Sequence, residues 1–238
     1  MRARAVITSL AALTAPTAIY AQEAPDGDGE KAFDLTTTLT ATSDYRFRGI
    51  SLSDNDSALQ ASVEVAHKSG FYAGAWGSTI KGGAADVELD LYGGWRGSAG
   101  SVDLDVGAVA YVYPSAADLD YVEILASAAY SIGPAELKVG MAYAPDQSNL
   151  GSNDSFYAYG EVSAGIPNTP VTLTAHVGHE KGSLAGPTGK KIDWSLGAEV
   201  VVDKFTLGLT YTDTEVNRLV DPGRIARPGV MVSLTLEF

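Results

Sequence analysis

A closed, antiparallel, all-β transmembrane barrel of about twelve strands is the fold class this sequence predicts. Three observations predict it. Apolar and polar residues alternate at period two in one segment after another, the connections between those segments alternate short and long, and the chain closes on an aromatic residue, Phe238. In the tail, Val230, Val232, Leu234, Leu236 and Phe238 share one parity, while Met231, Ser233, Thr235 and Glu237 share the other. A strand of this kind turns its apolar parity to lipid and its polar parity to a lumen.

Taken in order, the chain begins with a basic stretch, Met1-Arg2-Ala3-Arg4, followed by small apolar residues from Ala5 to Ala15 and a cleavage signature, Ala18-Ile19-Tyr20-Ala21. Residues 1–21 therefore read as a cleaved export signal. The apolar run is too short for a helical anchor, which needs roughly 20 residues. Residues 22–32, acidic and rich in Gly and Asp, read as a flexible leader, and residues 33–238 as the barrel.

The first strand alternates Phe33, Leu35, Thr37, Leu39, Ala41, Ser43, Tyr45 and Phe47 against Asp34, Thr36, Thr38, Thr40, Thr42, Asp44, Arg46 and Arg48. Its period and its β-branched threonines both favour a strand. Apolar parities recur at Leu59/Val63/Val65, Val87/Leu89/Leu91/Trp95, Val102/Leu104/Val106, Val122/Ile124/Tyr130 and Leu137/Val139/Met141/Tyr143. They continue at Val162/Ile166, Val171/Leu173/Val177, Trp194/Leu196/Val200 and Phe205/Leu207/Leu209/Tyr211. Residues 71–80 also read as a strand, with small and aromatic residues on both parities and so no assigned facing.

Short connections fall near Ser69, Gly97 to Ser101, Gly133, Pro167 to Pro170 and Asp203. Longer ones span Ser51 to Ser57, Lys81 to Asp86, Pro114 to Asp120, Pro145 to Ser155, Glu180 to Ile192 and Asp213 to Pro228. Outer-membrane barrels pair short periplasmic turns with long external loops, whereas a soluble sandwich meets the same solvent at both ends. Tyr45, Phe47, Trp95, Tyr130, Tyr143, Trp194, Phe205, Tyr211 and Phe238 sit toward strand ends on the apolar parity, as interfacial girdles do.

The absence of cysteine rules out a disulfide scaffold. A net charge of −13 argues against nucleic acid as a partner. The expected partners are outer-membrane lipid, small hydrophilic solutes and the barrel-assembly machinery, which reads the terminal strand and its Phe238. No cofactor or metal is called for. His176 and His179 point to opposite faces of a strand and cannot share a metal. His176 alone lies on the lumen parity; an enzyme would need a lumen Ser and a carboxylate or amide beside it. No sequence feature marks such a set, so the chain does not read as an enzyme. Asp54-Asn55-Asp56 resembles the start of a calcium loop but lacks its Gly and distal Glu, and reads as a polar loop tip.

The segment Ser43-Asp44-Tyr45-Arg46-Phe47-Arg48-Gly49-Ile50-Ser51 resembles the signature of the TorF-like family of Gram-negative porins, outer-membrane proteins of largely uncharacterised function. Gly70-Phe71-Tyr72-Ala73-Gly74-Ala75-Trp76-Gly77-Ser78 and Glu88-Leu89-Asp90-Leu91-Tyr92-Gly93-Gly94 are similar to the same family. Beyond Gly94 the likeness rests on strand rhythm and the final Phe. It implies an outer-membrane barrel with a transport role and brings no catalytic residues.

On the lumen parity, Asp44, Arg46 and Arg48 form a row, and Glu64, Glu88, Asp90, Asp103, Asp105, Glu123, Glu161 and Glu199 face few further cations, chiefly Arg96 and Lys138. Two roles are open to the arginines: neutralising wall carboxylates, or forming a basic strip that sorts permeants. Gly49 reads as relief where the chain leaves the ladder, and Gly94, Gly107, Gly140 and Ala142 as room for a pore. The expected function is passive diffusion of small hydrophilic solutes through a narrow acidic lumen that prefers cations or neutral solutes. The alternative is a closed barrel with a structural or loop-mediated surface-binding role.

Overall fold

The computed structural model describes residues 32–215 and 224–238. The segment read as a signal peptide, nearly all of the stretch read as a leader and the middle of the last long connection lie outside the described residues. The chain forms β1 (Phe33–Thr42), a small hairpin of β2 (Arg46–Phe47) and β3 (Ile50–Ser51), then β4 (Ala58–His67), β5 (Phe71–Thr79) and β6 (Val87–Ala99). It continues as β7 (Val102–Val112), β8 (Tyr121–Ile132), β9 (Ala135–Gln147), β10 (Asn153–Gly165) and β11 (Val171–Gly182). β12 (Lys190–Val202), β13 (Phe205–Glu215) and β14 (Gly229–Glu237) complete it. All but β2 and β3 join one closed, antiparallel barrel of twelve strands in which sequence neighbours pair.

Closure is made by β1 against β14, from Thr38↔Glu237 to Thr42↔Ser233. The Phe238 amide donates to Thr37 O at 3.0 Å and finishes the ladder. Closure leaves no free sheet edge, the condition for a sheet to stand in lipid, where an unpaired backbone group has no water to turn to.

The period-two pattern becomes two surfaces. On β4, Leu59 is 67% exposed and faces out, while Ser62 and Glu64 are buried. Leu35, Val139, Leu196, Leu207 and Val230 show the same outward exposure. The unassigned strand, β5, places Tyr72, Trp76 and Ser78 inward and Phe71 outward. Trp95, Tyr130, Phe205 and Phe238 point out near the short-turn end, and Tyr143, Trp194 and Tyr211 near the long-loop end.

Tyr45 and Phe47 do not belong to these outer rings, contrary to the sequence reading. β1 stops at Thr42, and residues 43–57 turn inward. Ser43 is fixed to β14 by its amide, which donates to Val232 O, and by its hydroxyl, which accepts from the Val232 amide. Beyond it Asp44 Oδ1 accepts from Ser51 Oγ at 2.6 Å and from Ser53 Oγ at 3.1 Å. The Tyr45 amide donates to Ser53 Oγ, and the Leu52 amide to Tyr45 O. These local bonds satisfy the backbone that would otherwise extend the ladder. Tyr45 therefore lies inside, 3% exposed, edge-on to Trp76, and half-buried Phe47 meets Tyr111.

Candidate functional site

The inward segment is a two-stranded hairpin whose turn is Arg48-Gly49. Phe47 pairs with Ile50, and both turn residues have positive φ, 47° at Arg48 and 82° at Gly49, as a two-residue type I′ turn requires. At Gly49 a side chain is also excluded by space, since a Cβ would lie 2.7 Å from Thr214 Cβ and 3.1 Å from Asp193 Cβ. Gly49 thus forms the tip of a hairpin that packs against β12 and β13, not the relief of a strand end.

Arg48 is the side chain this turn delivers. It is 2% exposed. Its Nη2 donates to both Glu123 oxygens, at 2.9 and 2.7 Å, and its Nη1 to Glu180 Oε1 at 2.5 Å. Its guanidinium carbon lies 4.3 Å from the Tyr157 ring centre and 4.5 Å from that of Phe47. Lys191 Nζ is 2.9 Å from Glu180 Oε2, and Tyr111 donates to Glu123 Oε2 at 2.9 Å. β8 and β11 are therefore tied together through the tip of a segment that begins at β1. A left-handed φ on an arginine costs about 1–3 kcal/mol and persists only where the surroundings over-determine it.

Arg46 stays within the hairpin. It pairs with Asp44 at 2.6 Å and donates to Asn55 Oδ1 at 2.9 Å and Arg227 O at 2.5 Å, sealing the hairpin base against the last loop. Tyr45 donates to Glu88 Oε1 at 2.9 Å, and Tyr113 to Glu88 Oε2 at 3.3 Å. Asp90, 2% exposed, sits beside them on β6.

A separate cluster occupies the short-turn half. Arg96 donates to Glu64 at 2.6 and 3.1 Å and to Asp105 at 3.1 Å, with its guanidinium 3.7 Å above the Tyr72 ring. Tyr72 donates to Asp105 Oδ1 at 2.7 Å. Asp103 is exposed near the β6–β7 turn and accepts from Ser98. Glu161 faces Lys138 and His176 in register, and buried Glu199 faces Thr172 and Gly208.

A single strip of Arg46, Arg48 and Arg96 is not formed. Two of the three are carried by the hairpin at the long-loop end and the third by β6 near the opposite end, each already bonded to carboxylates. Nor do the small residues open the lumen. A Cβ on Gly94 or Gly107 would lie 2.6 or 2.9 Å from Tyr72 Oη, and one on Gly140 would lie 2.4 Å from Tyr159 Cζ. Ala142 is 2% exposed. The three glycines are seats for inward tyrosines, as Gly178 is for Tyr157.

Glu136, Glu180, Lys191 and Asp193 were not among the sequence candidates. Glu180 and Lys191 fell inside the stretch read as a loop, although stepping by two from His176 and back from Ser195 reaches them. His176 bonds to Tyr157 Oη at 2.8 Å, lies 3.4 Å from Asp193 Oδ1 and 3.7 Å from Glu161 Oε2. The carboxylate half of the enzyme requirement is present; the serine hydroxyl is not among these partners. His179 is exposed on the other face. Among the described residues no group of three or more acidic, His or Cys side chains is arranged to hold a metal.

With this geometry in view, a protein-family comparison matches residues 26–231 to the family described as "Bacterial protein of unknown function (Gcw_chp)". The chain belongs to the Gcw_chp family. The matching family carries that name and not the TorF-like one. No functionally curated protein matches the sequence. Among solved structures it is similar to the KdgM porin, with a TM-score of 0.57 at 7% identity over 85% of this chain and 98% of that one. The NanC porin gives 0.58 at 10% identity over 86% and 99%. The COG4313 outer membrane channel from Pseudomonas putida F1 gives 0.50 at 10% identity over 90% and 99%. At these identities the likeness is one of fold: a porin-like, outer-membrane type of transmembrane barrel.

Proposed function

We propose that this Gcw_chp protein is an outer-membrane channel for small hydrophilic solutes, preferring cations or neutral solutes, with its external mouth occupied by the 43–57 hairpin. The observation that carries this reading is the inward face. Glu64, Asp105, Glu136, Glu161 and Glu199 stand there against Arg96 and Lys138 below the hairpin, inside a barrel whose outward face is apolar. Wall carboxylates raise the local concentration of cations and repel anions. The hydroxyl-rich arc of Thr40, Ser62, Thr174, Thr212, Ser233 and Thr235 offers neutral solutes hydrogen bonds in place of water. Sorting is steric and electrostatic, without a covalent step.

The long-loop end would face outside, with both barrel termini in the periplasm. Conductance of the refolded barrel in a planar bilayer under a salt gradient tests the reading: a cation-selective reversal potential is expected, and an anion-selective one would overturn the preference. The second reading, a closed barrel with a structural or surface-binding role, is favoured by one observation: Glu123 and Glu180 are each 0% exposed around Arg48. It predicts silent barrels even after the hairpin is shortened.

A further inference from the structure

We propose that the receptacle filled by Arg48 is a binding site for organic cations of the guanidinium class, and that Arg48 is its tethered occupant. The proposal rests on the channel reading, because the receptacle lies in the outer lumen, where a solute entering from the long-loop end would meet it.

The receptacle is built by the wall and not by the hairpin. Glu123 comes from β8, Tyr157 from β10, Glu180 from β11, and Lys191 and Asp193 from β12. Each wall acceptor has a holder other than Arg48. Tyr111 fixes Glu123, Lys191 fixes Glu180, and Tyr157 donates to Asp193 Oδ1 at 3.1 Å while bonded to His176. Two carboxylates at the edge of a planar cation and an aromatic ring beneath it match a guanidinium fork. A compact hydrated ion would gain less from the ring and from the paired acceptors.

The present occupant leaves the site under-used. Asp193, 2% exposed, has its Oδ2 without a hydrogen-bond partner, and Arg48 Nε has none either. Arg48 reaches its place only through a left-handed backbone (φ 47°), a conformation an L side chain rarely adopts. A free guanidinium compound carries no such tether. It would take the same acceptors, add a donor for Asp193 and release the hairpin, so that the ligand opens the mouth it enters.

The test is calorimetric titration of the refolded full-length chain in detergent with methylguanidinium chloride, using tetramethylammonium chloride as the charge-matched control. Arg48→Gly suits the left-handed turn and empties the receptacle. It should bind methylguanidinium at least about tenfold more tightly than the parent, the scale of one displaced charge pair. Tetramethylammonium should show no such gain, and adding Glu123→Gln to Arg48→Gly should remove it. Equal binding by parent and variant, or the same gain for tetramethylammonium, would overturn the proposal. If Arg48→Gly refolds poorly from urea, methylguanidinium at sub-denaturing concentration should restore the yield of heat-modifiable barrel where tetramethylammonium does not, and a yield indifferent to both would equally overturn it. Binding without conductance would sink the channel reading alone, and conductance without selective binding would sink the receptacle alone.

Discussion

At the scale of single residues, the lumen is organised by tyrosines seated on glycines and by carboxylates that share guanidiniums. Tyr157 shows both: its ring lies over Gly178 and under Arg48, and its hydroxyl joins His176 to Asp193. A Cβ on Gly178 would lie 2.4 Å from Tyr157 Cζ, and the ring cannot retreat without breaking those bonds. Gly178→Ala is therefore expected to cost about 1–3 kcal/mol, read from the urea midpoint of the refolded barrel, and an unchanged midpoint would show that the seat is not tight. Arg48→Ala strands Glu123 and Glu180 in a buried site, at a cost of about 3–5 kcal/mol. Adding Glu123→Gln should recover part of that loss; simple additivity of the two changes would mean that the pair is not coupled. These residue-level roles were only partly legible beforehand. The carboxylates announce themselves by parity, but a glycine looks like empty space until the tyrosine on the neighbouring strand is known to fill it.

At the scale of elements, the barrel strands and the 43–57 hairpin contrast in how well sequence speaks for them. A strand with one face in lipid and one in a lumen must alternate, so its limits and facing follow from period two. The stretch from Asp44 to Arg48 alternates equally well, yet there the period belongs to the short hairpin arm β2 and not to an extension of β1. What separates the two is the set of side-chain bonds from Asp44 to Ser51 and Ser53, which no periodicity encodes. Gly49 was the available signal, as the second residue of a tight turn with arginine in the less usual first place. The ends of β11 and β12 were obscured for a related reason: Lys181 and Lys190, both exposed, break the outward apolar pattern and make strand look like loop. Because the β1–β4 ladder runs from Phe33↔His67 to Thr42↔Ala58 without the hairpin, replacing residues 46–51 by two glycines should leave a heat-modifiable barrel and raise its conductance. Loss of the folded band on a gel would instead assign the hairpin to the core that stabilises the fold.

At the scale of the whole molecule, a closed ladder, an apolar outer face with aromatic rings near both ends and a polar interior together make a membrane-spanning barrel. Both termini of the ladder meet at the short-turn end, where Phe238 hydrogen-bonds to Thr37 through its backbone and leaves its side chain 60% exposed. Phe238→Ala keeps those backbone bonds, so refolding in detergent should be unaffected. Assembly in cells should fall severalfold if the ring is what the assembly machinery reads, and normal surface levels would show that it is not. In the proposed channel, function at this scale depends on the sign of the interior and on the hairpin that fills its mouth. The most direct measurement is single-channel recording across a salt gradient, comparing the parent barrel with the hairpin-shortened form. Rare or small cation-selective openings in the parent, becoming frequent and larger in the shortened form with the same selectivity, are the predicted result. Anion-selective currents, or silence from both folded barrels, would contradict a hairpin-closed, cation-preferring channel.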